Sequence, residues 1–137
     1  MIRRTFVLLA GALVLGACGG GGDPVGPSLE SIGTYTLSTV NGQPLPALIF
    51  QDATRKVEIL SDVVTLRENG TWSETASLRT TTPTGAVTTA PTNDGGTYSI
   101  DGSALLLSSG QSGTTTATLL GGSLTIADVG LVLVYVK

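Results

Sequence analysis

The sequence predicts an all-β domain: an antiparallel up-and-down meander closing into a small barrel of about eight strands, with a two-sheet β-sandwich as the alternative. Three observations point there. Charged residues make up only 12% of the chain, whereas glycine (19 residues) and threonine are abundant. Short runs alternate apolar and polar residues, and no segment keeps helical periodicity over three turns. Turn-forming pairs separate the runs: Asn41-Gly42, Asn69-Gly70, Asp101-Gly102 and Gly121-Gly122.

The first strand is expected at Gly33 to Val40, with Tyr35 and Leu37 on one face. Asn41-Gly42 turns the chain, and Pro44 and Pro46 keep the next segment irregular or at an edge. Ala47 to Gln51 reads as a short apolar strand. Arg55 to Leu60 and Asp62 to Glu68 read as two strands or one long bent one. Thr71 to Thr81 alternates best, with Trp72, Glu74, Ala76 and Leu78 on one face. Further strands are expected at Gly85 to Ala90, Gly96 to Ile100, Ala104 to Ser108, Thr114 to Leu120, Ser123 to Ala127 and Leu131 to Val136.

Residues paired across a hairpin share a face, so each turn implies a register. A two-residue Asp101-Gly102 turn pairs Tyr98 with Leu105. A two-residue Gly121-Gly122 turn pairs Leu119 with Leu124 and Ala117 with Ile126. A three-residue Asn69-Gly70-Thr71 loop with Gly70 in a bulge pairs Leu66 with Glu74 and Val64 with Ala76, which joins the two apolar faces. Asp94-Gly95-Gly96 reads as a turn, and Thr80 to Asp94 is a long threonine-rich region that includes the strand expected at Gly85 to Ala90.

The N-terminus carries a different signal. Arg3 and Arg4 precede an apolar run from Thr5 to Leu15, then Gly16, Ala17 and the only cysteine, Cys18. The run fits a signal h-region and falls short of the ~20 residues that span a bilayer. Leu15-Gly16-Ala17-Cys18 resembles the lipobox of bacterial lipoproteins. That resemblance implies cleavage before Cys18 and lipid on its sulfur, because only a thiolate is nucleophilic enough to be alkylated under mild conditions. Residues 1–17 are then a signal peptide, the Gly/Pro-rich 18–28 a tether, and 29–137 the folded domain. The expected location is the cell envelope, with the membrane as partner through Cys18. Gly19, where the enterobacterial pattern would place an inner-membrane aspartate, points to the outer membrane if the organism has one.

Composition bounds the chemistry. Without Arg3 and Arg4, five basic residues face ten acidic ones, so nucleic acid is not an expected partner. There is no histidine, and lipidation would consume the thiol. His-based acid–base chemistry, disulfides and the usual zinc and copper sites are therefore excluded. No dense acidic calcium loop is present. No serine or threonine has an evident activating base, so no catalytic residue, metal or cofactor is expected and an enzyme is not predicted.

Gly33-Thr34-Tyr35 is similar to the G-x-W that opens the first strand of lipocalins, and Gly33 to Ala47 resembles the start of small lipocalin-like domains in bacterial lipoproteins. Gly70-Thr71-Trp72 and Gly96-Thr97-Tyr98 read as similar strand starts. The likeness implies a calycin-type barrel in which Lys137, ending the last strand, packs over Tyr35. It also implies a candidate cavity lined by Trp72, Glu74, Tyr35 and Tyr98, holding a small hydrophobic ligand. Trp72 reads more simply as a core aromatic. Glu74 is a carboxylate on an apolar face, where burial is costly, and the simpler expectation is that it reaches solvent past a short strand. Arg67 and Arg79 are expected on the solvated outer face. The alternative function is a non-enzymatic structural or protein-interaction module of the envelope, with a filled barrel and Thr80 to Asp94 as its contact element.

Overall fold

A computed structural model describes residues 28–137. The leader, Cys18 and most of the tether read from the sequence lie outside the described residues. Ten strands follow one another: β1 (Gly33–Val40), β2 (Gln43–Pro44), β3 (Ala47–Gln51), β4 (Lys56–Leu66), β5 (Thr71–Thr81), β6 (Val87–Asp101), β7 (Ala104–Ser109), β8 (Gly113–Leu120), β9 (Ser123–Asp128) and β10 (Leu131–Val136). No helix occurs among the described residues.

The sheet is an antiparallel meander closed by β1, which pairs with β10 on one side and with β4 on the other. Eight strands form the barrel, and the short β2 and β3 are additions beside it. Closure removes the exposed edges that an open sheet of this length would leave. The sandwich alternative is thereby set aside.

Inward side chains fill the interior toward one pole, the base. Tyr35, Leu37, Leu66, Trp72, Leu105, Leu107, Leu124 and Tyr135 belong to one buried cluster. Full burial of a side chain of this size contributes about 1.5–3 kcal/mol. The Tyr35 hydroxyl donates to the Ser31 carbonyl at 2.8 Å, and the Tyr98 hydroxyl to the Arg67 carbonyl at 2.6 Å. Lys137 lies over Gly33, where a Cβ would come within 2.5 Å of its Cε. Its ammonium sits 5.8 Å from the centre of the Tyr35 ring and donates to the Glu30 carbonyl at 2.7 Å. The cation–π contact that the lipocalin likeness implies is thus present.

Turn geometry bears out one expected register and corrects two. At Gly121-Gly122 both residues have positive φ (57° and 78°), and Leu119 pairs with Leu124 as expected. At Asp101-Gly102 the loop is instead Gly102-Ser103, because Asp101 pairs with Ala104 and Tyr98 with Leu107. Only Gly102 has positive φ (60°), the pattern of a turn with glycine first. At Asn69-Gly70 the three-residue loop is Glu68-Asn69-Gly70, one residue earlier than expected, so Leu66 pairs with Trp72 and Val64 with Glu74. The Arg67 amide to Thr71 carbonyl bond of 2.9 Å closes it. Both corrections move the register by two residues, so the inward face is unchanged.

One segment read as a turn is strand, and the two strands expected at Gly85 to Ala90 and Gly96 to Ile100 are one. Thr80 to Asp94 is a hairpin, with β5 ending at Thr81 and β6 beginning at Val87. Asp94, Gly95 and Gly96 lie inside β6. Tyr98 donates to the Gly70 carbonyl, so the even residues of β6 bond to β5 and the odd ones face the other side. There β7 reaches only Gly96–Asp101. Pro91 therefore places its missing N–H on a free edge, where it costs no ladder bond.

β4 is one strand with a bulge between Ile59 and Ser61. The extra residue switches which parity faces inward: Val57 and Ile59 before it, Asp62, Val64 and Leu66 after it. This switch brings Asp62 into the barrel.

Candidate functional site

Three adjacent strands each turn one carboxyl group inward. On β5, Glu74 pairs directly with Asp94 of β6 and with Val64 of β4. Asp62 is therefore its diagonal neighbour on the same face. The row Asp62, Glu74, Asp94 crosses the inner wall, and a different environment sets the charge of each member.

Asp62 is only 1% exposed. Its Oδ2 accepts a 2.7 Å hydrogen bond from the Tyr135 hydroxyl on β10, and its Oδ1 has no hydrogen-bond partner. Burial raises its pKa, while the Tyr135 bond opposes that rise. Burial, reinforced by the Asp62 charge, pushes the Tyr135 phenol up in turn. Asp94 sits at the opposite extreme. The Ser109 and Ser112 hydroxyls and the Gly95 amide donate to it, and the two serine bonds chiefly hold its carboxyl below the usual range.

Glu74 lies between these two anions. Burial first, then the Asp62 charge and more weakly Asp94, pushes its pKa up to about 8. At neutral pH Glu74 keeps its proton, which relieves repulsion with Asp62: the pair holds one proton between two acids.

The row borders a cavity of about 390 Å³. Trp72, Leu107, Ile126, Leu131 and Leu133 give it apolar walls, and Glu74, Asp94, Asp128, Ser112, Thr115 and Tyr135 its polar groups. Val129 stands at its rim, 94% exposed. Ser112 belongs to the β7–β8 turn, and Asp128 and Val129 to the β9–β10 turn, so the cavity opens at the pole opposite the base.

Of the residues the sequence singled out, Trp72 and Glu74 line this cavity. Trp72 also donates to the Ser108 carbonyl at 3.2 Å, which fixes its ring against the wall. Glu74 does not escape past a short strand, because β5 runs eleven residues. Tyr35 and Tyr98 are not among the lining residues. They are buried at the base, held by their backbone hydrogen bonds. Arg79 reaches across the outer face to Glu58 at 2.8 Å, and Arg67 donates to the Ser73 hydroxyl at 2.7 Å. Sequence reasoning missed Asp62, Tyr135 and Asp94. The signal for Asp62 is the parity change between Val57, Ile59 and Val64, Leu66, which requires a bulge.

Among the described residues, no group of three or more carboxylates, histidines or cysteines is placed to hold a metal ion. No family model, curated protein or solved structure matches the chain.

Proposed function

We propose that this chain is a lipid-anchored protein of the cell envelope whose lipocalin-like barrel binds one small hydrophobic or amphipathic molecule. In this reading residues 1–17 are removed, Cys18 carries the lipid, 18–28 form the tether, and the barrel from 29 onward is a binding module and not an enzyme. The observation that carries it is the 390 Å³ cavity, which has apolar walls and a few convergent polar groups. Its volume lies within the range of about 300–1,000 Å³ usual for ligand pockets.

Mass spectrometry under native conditions, on chain taken from membranes, tests the binding. The expected result is a bound small molecule that is lost on denaturation. A chain without an adduct, whose Trp72 emission is also indifferent to added octanol, would overturn it. For the anchor, Cys18→Ser should abolish palmitate labelling and release the chain from the membrane fraction.

A second reading, a structural or protein-interaction module, draws on the exposed hairpin. Among the described residues no strand pairs with the outer side of Val87 to Asn93, and Val87 is exposed. If a pull-down partner from membranes survives deletion of Thr82 to Pro91, the hairpin is not the contact element.

A further inference from the structure

The lining of the cavity is unbalanced in charge. Three carboxyl-bearing residues, Glu74, Asp94 and Asp128, border it, and among the described residues no lysine or arginine does. The basic side chains nearest in sequence are engaged elsewhere: Arg79 and Lys56 with Glu58 on the outer face, Arg67 with Ser73, and Lys137 at the base. A carboxylate ligand entering this space would meet like charge, with no basic side chain of the described residues on the lining to offset it.

A cation meets the converse situation. Asp94 is already ionised and accepts three hydrogen bonds, which leaves one of the roughly four lone-pair sites of a carboxylate open. Beside it Glu74 holds a proton only because burial and two flanking anions disfavour its charge. A positive group between Glu74 and Asp94 would replace that proton and let both acids ionise. Behind Glu74 lies Asp62, the buried acid with which Glu74 shares that proton.

We propose that the cavity selects amphipathic ammonium ions over fatty acids and neutral amphiphiles of equal length, with the cationic head between Glu74 and Asp94 and the hydrocarbon body against Trp72, Leu107, Ile126 and Leu133. The proposal rests on the binding function above and names its ligand class.

The full chain, reconstituted in phosphatidylcholine vesicles, is titrated at pH 7 with octylammonium, octanol and octanoate. Trp72, the only tryptophan, reports binding, and empty vesicles serve as blank. Octylammonium should bind at least tenfold more tightly than octanoate, with octanol between them. In the isosteric Glu74→Gln/Asp94→Asn variant the ammonium preference should fall at least fivefold while octanol binding is kept. Equal or tighter binding of octanoate, or a preference that survives the double substitution, overturns the charge selectivity and leaves the binding function standing. If none of the three probes saturates a Trp72 signal, the binding function itself fails, and the selectivity with it.

Discussion

The Tyr135 hydroxyl donates a 2.7 Å hydrogen bond to Asp62 Oδ2 inside the barrel, and each residue is only 1% exposed. Tyr135 stands on β10 and Asp62 on β4, the two strands that flank β1 at the closure of the barrel. The bond ties the first half of the meander to its last strand. Tyr135→Phe removes the donor and leaves a buried carboxylate with less support, at a cost of about 1–3 kcal/mol. Urea unfolding should show this as a lower midpoint at unchanged slope. In a double-mutant cycle with Asp62→Val the loss should be strongly non-additive, because removing both partners leaves nothing unsatisfied.

Glu74 makes stability depend on pH in a defined direction. Its folded pKa of about 8 lies above the ordinary glutamate value, so between roughly pH 4.5 and 8 the folded state binds more protons than the unfolded one. Stability should therefore fall as pH rises through this window, by on the order of 1–2 kcal/mol once solvent screening at the cavity is allowed for. Asp62, also raised by burial, acts in the same direction. Asp52, Glu58 and Asp94 are lowered, so their opposite contributions are complete before pH 5. Thermal melts at pH 5 and pH 8.5 should show the higher Tm at pH 5, and Glu74→Gln should flatten the difference.

At Gly96, β7 leaves no room for a side chain on β6. A Cβ there would collide with the Ser108 carbonyl oxygen, the atom that also receives the Trp72 indole N–H. Backbone of a neighbouring strand cannot yield as a flexible side chain can. Gly96→Ala should cost at least about 2 kcal/mol, at the upper end of overpacking effects, and shift Trp72 emission as its hydrogen bond lengthens. Gly110, where an added methyl group would meet nothing within 4 Å, is the control at which alanine should be tolerated.

Val129 occupies the left-handed region (φ 43°) in the β9–β10 turn, a conformation that β-branched residues avoid. It is 94% exposed, so no packing compensates. Val129→Asn should add about 1 kcal/mol of stability, raising Tm by roughly 4–8 °C for a domain of this size. If the rim is shaped for a ligand, the same substitution should weaken octylammonium binding, an exchange of stability for function.

Much of the barrel is legible in the sequence because strand alternation and turn pairs are local signals. Val40-Asn41-Gly42-Gln43 and the Gly121-Gly122 hairpin follow from them directly. What escapes depends on partners. β6 reads as broken because Pro91 and Gly95-Gly96 are poor strand residues, yet a free edge accommodates the first and the close approach of β7 requires the glycine at 96. The carboxyl row escapes because the bulge in β4 decides whether Asp62 points in or out, and its only trace in the sequence is the parity change from Val57 and Ile59 to Val64 and Leu66. Glu74 stands out as an anomaly on its own strand. Its meaning comes only with Asp62 and Asp94, residues 12 and 20 positions away in the chain.

The contact of Lys137 with Glu30 and Gly33 sets a direction for the whole molecule. Both the entry to the first strand and the exit from the last lie at the base, and the cavity opens at the far pole. On the proposed anchoring and binding, the tether joins the barrel at the end farthest from its mouth, so a ligand enters from the side away from the attachment point.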